Sequence, residues 1–140
     1  MKKYLVTVSL LLILASIVQA DDEAFYRALQ GCTQYTSTGQ TQTDGSAVKF
    51  QSQILGWEND KCVYKESVNF SGINSCTTCK LSQRQIDELV KVMRAYSTVQ
   101  KYSGEQPDLS SVNNVQNNPI VKVWNKYFTD SSVCTIELSK

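Results

Sequence analysis

The residues of this 140-residue sequence best suited to chemistry are its five cysteines. Thiols in such numbers form structural disulfides, exchange electrons with other dithiols, or bind a metal ion. Each use depends on which elements of the fold carry them. The five are Cys32, Cys62, Cys76, Cys79 and Cys134.

Cys76-Thr77-Thr78-Cys79 is a Cys-x-x-Cys motif. Redox enzymes place this motif at the start of a helix, where the dipole lowers the thiol pKa. Here the following helix is predicted to begin at Ser82, three residues beyond Cys79, and no alternating βαβ pattern surrounds the motif. We therefore interpret the cysteines as structural, with a thiol-disulfide oxidoreductase as the alternative. A Cys-ligated metal is disfavoured in an oxidising compartment.

An odd number of cysteines leaves one thiol over after two disulfides. One pairing joins Cys32 to Cys62 and Cys79 to Cys134, which leaves Cys76 as a free or redox thiol. A second pairing, Cys62 to Cys79 and Cys32 to Cys134, fits nearly as well. We predict the first.

Histidine is absent from the sequence. No Ser-His or Cys-His nucleophile pair can therefore form within the chain, and histidine-based zinc catalysis is excluded. Two carboxylates can cleave a glycoside, but Glu58, Asp60 and Glu66 resemble ordinary solvated surface acids. We expect no enzyme activity, no catalytic residue, no cofactor and no metal site.

The first 20 residues are typical of a cleaved secretory signal. Met1-Lys2-Lys3 precedes an apolar run, Tyr4–Val18, and the small residues Val18 and Ala20 frame a cleavage site. The run is short for a membrane span of about 20 residues, so no stable membrane anchor is expected. Residues 21–140 are predicted to form a single secreted or periplasmic domain. Because the signal resembles bacterial ones, the glycosylation pattern Asn69-Phe70-Ser71 is interpreted as chance.

Charge argues against nucleic acid as a partner. Removing Lys2 and Lys3 from the 14 basic residues leaves 12, against 13 acidic ones, so the formal charge of residues 21–140 is −1. Proteins that bind nucleic acid need a basic footprint.

Alternation of apolar residues predicts a β-hairpin from strands Ala47–Gly56 and Lys61–Phe70. A three-residue loop, Glu58-Asn59-Asp60, places all apolar partners on one face and requires positive φ at Asp60. The predicted pairs are Ile54 with Tyr64, Phe50 with Val68, and Val48 with Phe70.

Helical spacing and turn residues predict the remaining elements. They are a helix at Asp21–Gly31, a short strand at Cys32–Thr36, a turn or mobile loop over the polar remainder up to Ser46, a helix at Ser82–Ser97 that begins with a capping box of Ser82 and Gln85, a surface loop over Gln100–Asn117, a helix from Pro119, and a strand at Val133–Leu138 with Cys134, Ile136 and Leu138 pointing inward.

These elements predict an α+β fold: an antiparallel sheet of three to five strands, with the two main helices packed on one face. The arrangement loosely resembles the cystatin-like and nuclear-transport-factor-like sheets that curl around a helix. The approach to the turn, Gln53-Ile54-Leu55-Gly56, is similar to the inhibitory hairpin of cystatins. The spacing of that family is absent, so its activity is not carried over.

Two apolar residues break the alternation, because Leu55 and Trp57 fall on the polar face of the predicted hairpin. Either a helix or the chain terminus covers them, or they form a partner-binding patch. We expect an exported, non-catalytic protein that binds another macromolecule, a protein in the first instance, through the 57–61 hairpin tip and the 100–117 loop. A thiol-disulfide oxidoreductase using Cys76 and Cys79 is one alternative, and a secreted protease inhibitor is another.

Overall fold

The computed structural model describes residues 23–43, 45–105 and 112–140 of the chain. The predicted signal peptide, residues 1–20, lies outside this described part. The elements in chain order are α1 (Glu23–Gly31), β1 (Tyr35–Thr43), β2 (Ser46–Glu58), β3 (Lys61–Phe70), β4 (Ile73–Leu81), α2 (Gln83–Ser103), α3 (Val112–Asn117), α4 (Pro119–Phe128) and β5 (Cys134–Ser139).

The strands form one five-stranded antiparallel sheet in the order β1-β2-β3-β4-β5, so each strand pairs with its neighbours in sequence. Helices α2, α3 and α4 are inserted between β4 and β5. Side chains of α1, α2 and α4 join the inward-facing strand residues in one hydrophobic core. The α+β class and the antiparallel sheet are therefore confirmed.

The register between β2 and β3 is the predicted one, but a different turn produces it. The turn has two residues, Asn59 and Asp60, with φ angles of 49° and 62°, where the sequence predicted three. Positive φ at Asp60 is confirmed. A bulge between Ile54 and Gly56 supplies the residue that the shorter turn lacks. The observed pairs are Ile54 with Tyr64, Phe50 with Val68, and Val48 with Phe70.

The strand predicted at Cys32–Thr36 begins at Tyr35, and the prediction of a turn or mobile loop after Thr36 is wrong, because β1 continues to Thr43 and pairs with β2 along its whole length. As an edge strand, β1 has a hydrogen-bonded neighbour on one side, and its residues from Tyr35 to Gln42 are exposed or half-buried. An edge strand needs little apolar surface, so the alternation that signals a buried strand is missing.

Gly39 of β1 lies opposite Phe50, and the phenyl ring packs over the glycine backbone. A Cβ at this position would lie 2.3 Å from Phe50 Cζ. We expect Gly39→Ala to displace this buried ring and to lower the free energy of unfolding by about 1–3 kcal/mol, as measured by urea denaturation. Gly31→Ala is the matched control, because a Cβ there meets Thr33 Cγ2 at an ordinary 3.6 Å. Equal losses for the two variants would contradict this account.

Helix α2 begins as predicted but continues further. Ser82 forms the predicted capping box with Gln85, and the helix ends at Gly104, whose φ of 69° suits glycine. The predicted loop over residues 100–117 is therefore wrong for residues 100–103, and wrong again where α3 begins at Val112. Residues 106–111 of that loop lie outside the described residues.

The final strand was predicted to point three apolar side chains inward. Cys134 is buried, but Ile136 and Leu138 are 38% and 49% exposed. Because β5 is the other edge of the sheet, these two side chains lie at the rim of the core and not inside it.

Candidate functional site

The tip of the β2–β3 hairpin combines a tight turn with a bulge. Positive φ at both turn residues, Asn59 and Asp60, matches the right-handed twist of the flanking strands. In the bulge, Leu55 has no residue opposite it, since Ile54 pairs with Tyr64 and Gly56 pairs with Val63. Gly56 has a φ of 114°, a conformation that L side chains rarely adopt. The local backbone thus depends on a glycine directly after Leu55.

The bulge changes which face of the sheet carries Trp57. Residues that lie directly opposite in an antiparallel pair share a face, and Trp57 lies opposite Cys62, which is buried on the core side. The prediction that Trp57 points to the polar face is therefore wrong. The side chain lies at the end of the core-side face, beyond the part that the helices cover.

Both apolar residues of the tip are accessible. Leu55 is 43% exposed and Trp57 is 48% exposed. The interpretation that a helix or the chain terminus covers them is wrong for the part of the chain that the structure describes. What remains is an apolar leucine and an indole ring presented at one end of the sheet.

A disulfide and an ion pair connect the hairpin tip to the rest of the fold. A disulfide joins Cys62, the partner of Trp57, to Cys32 directly after α1. On the opposite face, Lys80 Nζ lies 3.3 Å from Glu58 Oε1, which connects β4 to the last residue of β2. The tip is therefore tied both to α1 and to the neighbouring strand.

The second disulfide joins Cys79 to Cys134, which are direct cross-strand partners in β4 and β5. This is the first of the two pairings considered above, and Cys76 is left as a free, half-buried thiol. Its Sγ lies 3.9 Å from Ser67 Oγ. Both cysteines of the Cys-x-x-Cys motif lie within β4, so neither is at a helix start.

The acids near the hairpin differ from one another. Glu58 forms the ion pair with Lys80, and Asp60 is part of the exposed turn. Glu66, by contrast, is completely buried, so its interpretation as a solvated surface acid is wrong. Its position in the alternation carried the signal, because Glu66 falls between Tyr64 and Val68, which both point into the core.

Glu66 Oε2 lies 2.7 Å from Tyr64 Oη, and that hydroxyl lies 3.3 Å from Ser52 Oγ. Burial raises the pKa of Glu66 to about 8, although the hydrogen bond from Tyr64 opposes this shift. Burial, together with the charge of Glu66, also raises the pKa of Tyr64 well above its ordinary value. At neutral pH the carboxyl group is therefore protonated and uncharged in the folded protein.

Three buried polar atoms near the centre of the sheet have no hydrogen-bond partner among the described residues: Glu66 Oε1, Ser75 Oγ and Thr77 Oγ1. Thr77 lies directly opposite Glu66. Within the same ranges, no group of three or more cysteine, aspartate or glutamate side chains is arranged to hold a metal ion.

Comparison with protein-family models, with curated proteins and with solved structures finds no match. The resemblance to cystatin-like sheets is accordingly not confirmed by any neighbour. None of the helices in the described ranges has the length and apolar character needed to span a membrane. Two intramolecular disulfides are compatible with a protein of an oxidising or extracellular compartment.

Proposed function

We propose that this chain is an exported, non-catalytic protein that binds a partner protein through the tip of the β2–β3 hairpin. The observation that carries the proposal is the exposure of Leu55 and Trp57, at 43% and 48%, on a tip tied down by a disulfide. Tryptophan is among the residues that dominate binding energy at protein interfaces.

The construction of the tip favours binding for an energetic reason. Association costs free energy when loops and side chains must be ordered. The Cys32–Cys62 bridge holds the hairpin in place before a partner binds, and the Lys80–Glu58 ion pair adds little because both side chains are more than half exposed. A partner pocket that accepts the Trp57 ring therefore gains its apolar burial at a reduced ordering cost.

A second contact region was expected in residues 100–117. In the described part of that segment, Tyr102 on the last turn of α2 is 90% exposed. We assign Tyr102 a supporting role in the same proposal, because it is a large, exposed aromatic side chain in the described part of this segment. Export is supported by the two disulfides, which persist in oxidising compartments.

Site-specific photo-crosslinking tests the proposal directly. A benzoylphenylalanine residue replaces Trp57 in one variant and Leu138 in a control, and each protein is irradiated in its native extracytoplasmic environment. Leu138 is a suitable control because it is equally exposed, at 49%, but lies on the edge strand β5, two strands away from the hairpin. We expect one discrete protein adduct from position 57 and none from position 138. Equal labelling at both positions, or none at position 57, would contradict the proposal.

A further inference from the structure

Glu66 occupies the centre of the core-side face of the sheet. It lies between Ser52 on β2 and Thr77 on β4, its direct partners in the two neighbouring strands, and all three residues are completely buried. A carboxylate has two oxygens that require donors when it is charged. Glu66 has one hydrogen-bonded oxygen, which contacts Tyr64, and Oε1 has no partner among the described residues.

No cation compensates this carboxyl group in the described structure. Tyr64 is the titratable side chain that faces it, and the shift of the Glu66 pKa has burial and the Tyr64 hydrogen bond as its causes. Two ion pairs between the covering helices lie at the surface instead. These pairs are Glu23 of α1 with Arg94 of α2, and Glu88 of α2 with Lys126 of α4.

The protonated form of Glu66 fits the hydrogen-bond geometry. A hydroxyl group has one proton to donate, and Tyr64 Oη lies within reach of both Glu66 and Ser52. When Glu66 is neutral, its O–H donates to Tyr64, and Tyr64 donates to Ser52. When Glu66 is ionised, Tyr64 must donate to the carboxylate, and the negative charge stays buried with Oε1 unpaired.

Tyr64 connects this proton to the packing of the helices. Its ring centroid lies 5.1 Å from that of Trp124 on α4 and 6.2 Å from that of Phe25 on α1. The hydroxyl that contacts Glu66 therefore belongs to the ring on which both helices pack. Tyr64 therefore connects the carboxyl group to the sheet–helix contact as a single intervening residue.

We propose that Glu66 is a buried proton-binding site that keeps α4 packed on the sheet while it is neutral and loosens that contact when it ionises. The protein thereby carries a pH-responsive element within its core, separate from the hairpin tip. Water enters the α4–sheet contact in the ionised state, since a buried charge without a partner is stabilised mainly by hydration.

Trp124 fluorescence reports the proposed change. In a Trp57→Phe background, Trp124 is the remaining tryptophan, and it is 1% exposed. We expect acrylamide quenching of Trp124 to rise at least about twofold between pH 6 and pH 9, with a midpoint close to the raised pKa of Glu66. Glu66→Gln, which is isosteric and always neutral, should abolish the rise. Glu137→Gln, which alters an exposed acid of β5, should leave it unchanged.

A direct titration keeps the test decisive if Glu66→Gln folds poorly. The ¹³C chemical shift of the Glu66 carboxyl carbon is followed against pH in the otherwise unmodified chain. A midpoint more than about two pH units above that of a surface glutamate supports the proposal. An ordinary midpoint near pH 4–5 overturns it, as does a quenching rise that persists in Glu66→Gln.

Discussion

Replacing Cys32 and Cys62 together with serine is expected to lower the free energy of unfolding by about 2–5 kcal/mol. The bridge spans 30 residues of sequence, and restricting a loop of this length in the unfolded chain contributes roughly 3–4 kcal/mol. The double replacement of Cys79 and Cys134, whose bridge spans 55 residues, should cost at least as much. Urea denaturation under non-reducing conditions measures both losses.

Cys76→Ser provides the matched control for the two double variants. Cys76 is half-buried, and its contact with Ser67 at 3.9 Å is weak, so its replacement should change stability by less than about 1 kcal/mol. A loss from Cys76→Ser comparable to that of either double variant, or a mass-spectrometric peptide linking Cys76 to another cysteine, would contradict the assigned pairing.

Raising the pH from about 5 to about 8.5 is expected to destabilise the protein by about 4 kcal/mol through Glu66. In the folded state, burial raises the pKa of Glu66 from its ordinary value of 4.5 to about 8, so the carboxyl group keeps its proton until about pH 8. Between these values the folded state binds one more proton than the unfolded chain, so stability falls as pH rises. The stabilising contribution is complete below the ordinary pKa and is lost at pH values above 8.

Glu66→Gln should flatten the pH dependence of the free energy of unfolding over the same range. The acids whose pKa is lowered, Glu23, Glu88 and Asp130, act with the opposite sign. Their contribution is lost as pH falls below their ordinary range, so it does not affect the alkaline side. A flat profile for the unmodified chain between about pH 5 and pH 8.5 would show that Glu66 is not buried as described.

The pairing of β2 with β3 could be predicted from sequence because its core-side residues alternate strictly. The face of Trp57 could not be. A three-residue turn and a two-residue turn combined with a bulge at Leu55 give the same pairs from Val48 to Ile54. The two solutions place Trp57 on opposite faces of the sheet. Alternation in the strand body does not distinguish the two solutions, and the pairing of Trp57 with Cys62 does.

Strand β1 and the burial of Glu66 were not predicted, because residue type was given more weight than position in the strand alternation. The Ser, Thr and Gln residues of β1 suggested a loop, although an edge strand with a solvated face needs no apolar alternation. Glu66 was interpreted as a surface acid although its neighbours Tyr64 and Val68 placed it inward. In the folded protein, Glu66 is hydrogen-bonded to Tyr64. Burial costs less free energy for its neutral form than for its charged form.

We propose that the exposed, disulfide-anchored hairpin tip binds a protein partner. The most direct test is the dissociation constant of the purified crosslinked partner for Trp57→Ala, Leu55→Ser and the control Leu138→Ser, after each variant is shown to melt like the parent. We expect Trp57→Ala to weaken binding by about 30-fold or more, as for a residue worth roughly 2 kcal/mol at an interface. Leu55→Ser should weaken binding to a lesser degree, and Leu138→Ser should leave it unchanged. Affinities for Trp57→Ala and Leu55→Ser equal to that of the parent would contradict the claim.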